Sequence, residues 1–225
     1  MKALTNRLLI SIVFAFTAVG CTDNKAYETA YCALADISGT YAQEKDSVAR
    51  IIKAGILPEM IPGDSIFLIK IDSNSYSEEN LQRKLVLDYK PSETNAQKMT
   101  FATTLDEFAS DPTESQNTDI SGAMMLCSDY LKETKAGTQV MIIFSDMQED
   151  LPKGVVRNFS EAEFNGIDIA AMNIIKLSAD SSNPEVYRNR LKVWEANSKK
   201  AGARSWTTMM DASKIQEFIH QVKSL

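Results

Sequence analysis

Segments of almost uninterrupted apolar residues constrain the fold of this sequence more than any other feature. The strongest are residues 140–145 and 65–71. A strand that is apolar along its whole length is covered on both faces, which is typical of a parallel sheet between two layers of helices. The pattern predicts strands at 31–35, 65–71, 84–89, 140–145, 167–175 and 205–209, and helices at 47–60, 118–133, 184–201 and 213–222.

The alternation of these elements predicts an α/β fold with a doubly wound, mostly parallel central sheet and helices on both faces. The segment 84–89 is short, so it is expected at an edge of the sheet. The only long polar connection is 109–117, and the chain has no internal repeat. We therefore expect a single folded domain over residues 27–225.

Composition narrows the classes of function. The chain has 225 residues, of which 44% are hydrophobic and 24% charged, as expected of a globular domain with a real core. Its net charge is −6 and it has no basic stripe. A nucleic acid is therefore not expected as a partner, because such binding depends on neutralising phosphates.

The amino-terminal residues predict where in the cell the protein is located. Lys2 and Arg7 precede the apolar run 8–16, which is too short for a stable membrane span but suits the core of a secretory signal. The segment 18–21, Ala-Val-Gly-Cys, resembles a bacterial lipobox, and this resemblance implies a signal peptide over 1–20, lipidation of Cys21 and a short tether over 21–26. Thr22 is not the aspartate that would suggest inner-membrane retention. We thus expect a lipoprotein of the bacterial cell envelope, held by its lipid alone on the outer membrane and facing the periplasm; an ordinary cleaved signal is the alternative.

Small oxygen-bearing side chains follow the strands expected at the centre of the sheet. Asp36, Ser38 and Thr40 alternate after the first strand, Thr118 opens a helix, and Asp146 follows the strongest strand. Open parallel sheets bind ligands outside the carboxyl ends of their strands, so these groups are expected to converge there. Carboxylate and hydroxyl oxygens suit a hard divalent cation such as Mg²⁺.

In this arrangement the chain resembles a von Willebrand factor A (vWA) domain. The metal-ion-dependent adhesion site of that family combines D-x-S-x-S after the first strand, a later Thr in T-D-I-x-x-A and an Asp after the fourth strand. Here Thr40 stands for the last Ser, and Met147 follows Asp146 where the family usually has Gly. The resemblance implies that Ser38, Thr40 and Thr118 bind Mg²⁺ (or Mn²⁺ or Ca²⁺) directly.

It further implies that Asp36 and Asp146 hold the ion directly or through water, and that an acidic side chain of a protein partner completes its coordination. The expected function is therefore cation-dependent protein binding, for adhesion or assembly, without catalysis.

Other interpretations remain open from the sequence. The same loop is similar to the nucleophile loop of haloacid-dehalogenase-type phosphatases, in which Asp36 would attack phosphorus; Ser38 replaces the second acid of that motif. The five residues would alternatively be turns and helix caps, with Asp119 or Thr118 as an N-cap, in a structural domain with a vestigial metal site. His220 is the only histidine, and no zinc-ligand spacing or nucleophile elbow surrounds it.

Two cysteines remain after Cys21. Cys32 lies four residues before Asp36, and Cys127 lies nine residues after Thr118. Both distances correspond to about 13 Å from the end of their elements, so a disulfide is possible in an oxidising compartment. Two buried thiols are the alternative.

Overall fold

The computed structural model describes residues 24–172 and 184–224, which form one six-stranded sheet in the order β3-β2-β1-β4-β5-β6. All neighbouring strands are parallel except β3, which pairs with β2 in the antiparallel direction at an edge. The predicted doubly wound α/β fold is confirmed. The strands are β1 Thr29–Asp36, β2 Ser65–Ile71, β3 Leu81–Val86, β4 Thr138–Phe144, β5 Ile167–Met172 and β6 Ser205–Met209.

Helices connect the strands on both faces. The predicted helix 47–60 is a composite, because α1 Lys45–Ile51 continues as a π-helical turn, Ile52–Ile56, and a 3₁₀ turn, Leu57–Glu59. Shorter 3₁₀ turns lie at Asn24–Tyr27, Gly39–Glu44, Glu78–Asn80 and Ala212–Lys214. The other helices are α2 Pro91–Ser110, α3 Ile120–Thr134, α4 Pro184–Lys200 and α5 Ile215–Lys223.

Helix α2 is the element that the apolar pattern did not predict. Its buried apolar residues are Phe101, Leu105 and Phe108, which lie on one face of an otherwise polar helix. Pro91 occupies its first position, where a missing N–H costs nothing. The edge strand also begins earlier than predicted and ends at Val86. The last residues of the predicted strand 167–175 lie outside the described residues.

The strands divide their side chains between two cores. Tyr31, Ala33 and Ala35 of β1 face the layer of α1, α2 and α5, whereas Cys32 and Leu34 face the layer of α3 and α4. This alternation follows from the two-residue repeat of a strand. Because both faces are covered, β1 is buried along its whole length.

Cys32 and Cys127 lie in the second core, and a disulfide joins them with their Cα atoms 6.1 Å apart. Both cysteines are fully buried. The disulfide therefore links the central strand β1 to α3, the helix that begins beside the predicted metal site.

Strands β1 and β4 are neighbours although they are far apart in sequence. The winding of the sheet reverses between them, so loops that leave their carboxyl ends diverge to opposite faces and open a crevice. The predicted signal peptide and Cys21 lie outside the described residues. Within the described part of the chain, no helix has both the length and the apolar character needed to cross a membrane.

Candidate functional site

Asp36, the last residue of β1, lies at the centre of the candidate site. Its side chain is buried and receives hydrogen bonds from neutral groups. The N–H and the hydroxyl of Ser38 donate to Oδ1 at 2.9 and 2.6 Å, and the hydroxyl of Ser145 donates to Oδ2 at 2.7 Å. Asp36 is therefore held in one orientation by the loops that follow β1 and β4.

Thr118 reaches the same point from a distant part of the chain. Its Oγ1 lies 2.5 Å from Oγ of Ser38. Backbone hydrogen bonds fix this approach, because Ser115 N–H donates to the carbonyl of Ile37 and Thr118 pairs with Asp150 in both directions. The structure thus brings together three of the residues that the sequence predicted: Asp36, Ser38 and Thr118.

The other two predicted site residues are Asp146 and Thr40. Asp146 follows β4, is partly exposed, and accepts the N–H of Gln148 on Oδ1 at 2.7 Å. Its charge reaches Asp36, since it raises the pKa of that carboxyl. Thr40 lies in the 3₁₀ turn Gly39–Glu44, and its side chain is outside the described part of the chain.

Burial makes Asp36 an unusually weak acid. Removal from water raises its pKa from 3.8 to about 6, against the opposing effect of the hydrogen bonds from Ser145 and Ser38. The nearby charge of Asp146 raises it further. The carboxylate is thus surrounded by hydroxyl groups and a second carboxylate, an environment that a cation would favour.

Met147 adopts the backbone conformation that explains the glycine usual at this position in vWA domains. Its φ is 62°, in the left-handed region, where a side chain is unfavourable. The side chain is nevertheless buried in the second core. The Met147 carbonyl accepts a hydrogen bond from Nε1 of Trp194 at 2.9 Å. The loop therefore follows the backbone path of a glycine at this position, and the packing of the buried Met147 side chain compensates for the unfavourable backbone conformation.

Asp119 and Arg157 form a buried ion pair that sequence reasoning missed. Asp119 caps α3, since its Oδ1 accepts the N–H of Gly122 at 2.8 Å, and its Oδ2 accepts the N–H of Ser75 at 3.0 Å. Arg157 donates to both oxygens, with Nη2 2.6 Å from Oδ2. The N-cap position of Asp119 was visible in the sequence, but nothing there indicated a partner 38 residues away.

A second carboxylate joins the same helix start. Oε1 of Glu149 accepts the N–H of Ser121 at 2.7 Å, and burial raises the pKa of Glu149. A helix N-terminus favours such negative groups because its first N–H groups point outward unpaired. Gly122 leaves room for this arrangement, since a Cβ there would lie 2.3 Å from Oδ2 of Asp119.

Together these contacts fasten the loop after β4 to the start of α3. The Thr118–Asp150 backbone pair, the Ser121–Glu149 contact and the Asp119–Arg157 ion pair all lie next to Thr118. The position of Thr118 relative to Ser38 therefore depends on this loop.

The chemistry of the site is that of hydroxyls supported by few carboxylates. Within residues 24–172 and 184–224, no group of three or more His, Cys, Asp or Glu side chains is placed to hold a metal ion. Ser38, Thr118 and Asp36 are the predicted site residues whose oxygen atoms are brought together at this point. Ser38 also occupies the position of the second acid in the phosphatase motif, and it donates to Asp36 rather than providing an acidic proton.

Comparison with solved structures identifies the fold. An aerotolerance-related membrane protein of Bacteroides fragilis is similar over 87% of this chain and 98% of its own, with 12% identity and a TM-score of 0.53. BatB of Bacteroides thetaiotaomicron matches 87% of this chain and 97% of its own, with 13% identity and a TM-score of 0.54.

A von Willebrand factor type A structure from Catenulispora acidiphila covers 88% of this chain and 42% of its own, with 9% identity and a TM-score of 0.51. No family model matches the sequence, and the curated proteins contain no significant match. The chain therefore has a vWA-like α/β domain, as its motifs predicted, and identities this low establish the fold alone.

Proposed function

We propose that this protein is a lipid-anchored binding module of the bacterial envelope that holds a protein partner through a divalent cation. The cation, Mg²⁺ or a similar ion, would be held by Asp36, Ser38, Thr40, Thr118 and Asp146. The module has no catalytic role in this proposal.

One observation carries the proposal. The hydroxyls of Ser38 and Thr118, 80 residues apart in sequence, meet at 2.5 Å, and the same Ser38 hydroxyl donates to the buried carboxylate of Asp36 at 2.6 Å. Independent turns and helix caps give no reason for such a meeting. Moreover, the N-cap of α3 is Asp119, so Thr118 is not needed for that purpose.

The donor set fits a hard cation. Asp36 is buried, and its hydrogen-bond donors are the neutral groups of Ser38 and Ser145. A cation beside it would compensate its charge and would be bound by oxygen atoms, as Mg²⁺ and Mn²⁺ prefer. Because the site contains few charged ligands, the ion would retain enough positive charge to attract a further carboxylate.

The role of this chain's own residues follows from their rigidity. Ser38 and Ser145 orient Asp36, while the loop after β4 fixes Thr118 through its pairing with Asp150. The oxygen atoms would therefore be pre-positioned before an ion or a partner arrives. A partner's acidic side chain would supply the missing ligand, and the loops 39–43, 110–117 and 147–154 would contact its surroundings.

Ion binding to the purified chain tests the proposal. Calorimetric titration with MgCl₂ and MnCl₂ is expected to show one site, and Asp36→Ala is expected to abolish it without unfolding the sheet. Glu114→Gln is the matched control, because Glu114 is an exposed acid in the connection just before Thr118 and is outside the predicted ligand set. Absence of binding to the unsubstituted chain, or equal loss in both variants, would overturn the cation site.

The absence of catalysis is tested separately. The purified chain is expected to release no phosphate from a generic phosphate ester in the presence of Mg²⁺. Turnover that disappears in Asp36→Ala would replace the binding module with a phosphatase.

A further inference from the structure

The two edges of the sheet differ in position relative to the predicted anchor. The described chain begins at Asn24, in the turn that enters the amino end of β1, whereas Asp36 ends that strand at the opposite edge. We call these the amino edge and the carboxyl edge. At about 3.3 Å per residue, the eight residues of β1 separate the two edges by roughly 26 Å.

The amino edge carries an excess of exposed basic side chains, although the whole chain has a net charge of −6. Helices α3 and α4 run back across the sheet and end there, with lysines in their last turns. Two further lysines lie at the chain's entry to β1 and before α2. The exposed lysines of this edge are Lys25, Lys90, Lys132, Lys135, Lys199 and Lys200, of which Lys199 pairs with Glu195.

Several carboxylates at the amino edge are engaged with neighbours, whereas Glu93, in the first turn of α2, is an exposed acid. Glu28 accepts the hydroxyl of Tyr89, Asp88 accepts the N–H of Lys90, and Glu133 pairs with Lys84. Glu163 accepts from Ser160, while Glu161 is exposed in the same loop. The carboxyl edge has the opposite balance of charge, because few exposed bases (Lys153, Arg188 and Lys214) accompany its partly or fully exposed acids, which are Asp72, Asp111, Glu114, Asp146, Glu149, Asp150 and Asp211.

Exposed aromatic and aliphatic side chains accompany the lysines. Tyr27 is 82% exposed, Tyr89 63% and Ile61 52%. Tyr89 donates a hydrogen bond to Glu28, and a Cβ on Gly63 would contact both residues. Tyrosine rings with a polar tip, beside lysines with long apolar stems, are the side chains that favour the boundary between lipid and water.

We propose that the amino edge lies against a phospholipid surface with anionic headgroups, so that the candidate cation site points away from the membrane. This inference rests on the proposed lipidation of Cys21, which precedes Asn24 by three residues in the sequence, and Asn24 begins the turn at this edge. A tether of a few residues holds the domain within contact of the bilayer. Charge complementarity and the exposed tyrosines then select the amino edge as the face in contact.

Fluorescence quenching on the lipidated full-length chain tests the orientation. One fluorophore is attached at Lys90→Cys on the amino edge, and in a second protein at Glu114→Cys on the carboxyl edge; both positions are exposed. The chain is inserted through its lipid into vesicles of phosphatidylethanolamine and phosphatidylglycerol that carry a nitroxide headgroup. EDTA is present throughout, so the result does not depend on the cation site.

The fluorophore at position 90 is expected to be quenched and that at position 114 to remain bright. Neutralising Lys132 and Lys135 with Lys132→Gln and Lys135→Gln is expected to reduce contact by about fivefold per charge. Lys153→Gln, an exposed lysine in the loop after β4, is the control and should change nothing. High salt should act like the first two substitutions.

Equal quenching at both positions, or stronger quenching at position 114, would overturn the orientation while leaving the anchor and the cation site intact. A chain that does not stay with the vesicles, and whose amino-terminal peptide carries no lipid by mass spectrometry, would overturn the anchor and this inference with it. Loss of Mg²⁺ binding alone would affect only the proposed function.

Discussion

Buried aspartates occur at both edges of the sheet, and their partners differ. At the amino edge, Asp168 is paired with Arg204, and Asp64 lies 3.8 Å from Lys223. At the carboxyl edge, Asp119 is paired with Arg157, but Asp36 is hydrogen-bonded to hydroxyls and a backbone N–H. Burial raises the pKa of Asp64 as well, yet two N–H groups and Lys223 oppose that rise.

This difference separates Asp36 from the buried acids that join segments of the chain. A buried carboxylate with a basic partner joins segments of the chain, as Asp168 joins β5 to the start of β6. A buried carboxylate with only neutral donors is costly, because its charge is poorly compensated. Such an arrangement at the crevice between β1 and β4 is typical of a binding site, where stability is given up for function.

Removal of the two arginines gives the largest expected effect and tests the comparison directly. Arg157→Met and Arg204→Met each leave a fully buried aspartate without its cation, which should lower the free energy of unfolding by about 3 kcal/mol. Urea unfolding followed by circular dichroism measures this loss. Because Asp119 is next to Thr118, only Arg157→Met is expected also to weaken Mn²⁺ binding.

Arg157→Lys refines this test, since lysine keeps the charge but cannot bond both oxygens of Asp119 in the same plane. We expect an intermediate Mn²⁺ affinity. If Arg204→Met weakened Mn²⁺ binding as much as Arg157→Met does, the two edges would be coupled through general stability, and the special position of Asp119 would be disproved.

The pH dependence of stability should identify Asp36 as the uncompensated acid. Its pKa is about 6 in the folded chain and 3.8 as an ordinary side chain, so between these values the folded state binds more protons than the unfolded state. Stability without metal should therefore fall as pH rises from about 4 to 6, by roughly 2–3 kcal/mol in total. Asp36→Asn should remove this fall, so the variant should be the more stable protein at pH 7 in EDTA.

Adding MnCl₂ at pH 7 is expected to reverse that order, because an ion that binds only the folded, ionised site stabilises the original chain. Asp168→Asn is the comparison variant and should be less stable than the original chain with or without the metal ion. A rise of stability in EDTA between pH 4 and 6 in the original chain, shared by Asp36→Asn, would contradict the assignment.

The sequence predicted the sheet, and the proximity of Asp36, Ser38 and Thr118, for a physical reason. Strands buried on both faces are continuously apolar, and the carboxyl ends of parallel strands lie together at one end of the sheet. Asp36, which ends β1, and Thr118, which precedes α3, were therefore expected at that same end. The same reasoning explains why α2 was not predicted. This helix buries only one narrow face, so Phe101, Leu105 and Phe108 are separated by polar residues and do not form an apolar segment.

The contacts that hold the site residues in position could not be predicted from the sequence. The ion pair of Asp119 with Arg157 depends on the path of the loop after β4, and no periodicity constrains an irregular loop. Ser145 was part of the motif around Asp146, but its hydrogen bond to Asp36 depends on the register of β1 beside β4. Local patterns therefore predict which elements exist, whereas long-range pairs decide how the site is held.

Two residues other than glycine have a left-handed backbone among those described, one at each edge, and they should respond oppositely to glycine. Met147 at the carboxyl edge is buried, so Met147→Gly removes a packed side chain worth more than the strain it relieves. We expect a loss of about 2 kcal/mol in the free energy of unfolding. Met147→Leu, which nearly conserves volume, should cost less than about 1.5 kcal/mol; a more stable Met147→Gly would show that strain outweighs packing.

Lys135 at the amino edge is exposed and caps the end of α3 with φ 56° and ψ 23°. Lys135→Gly removes an unfavourable Cβ without losing any packing, and glycine is the residue preferred at this position after a helix. The greater freedom of glycine in the unfolded chain offsets part of the gain, so we expect stabilisation of about 0.5–1 kcal/mol. Lys135→Ala keeps the Cβ and should not stabilise. If both substitutions stabilised equally in urea, the cause would be loss of a charge near the other lysines of this edge rather than relief of backbone strain.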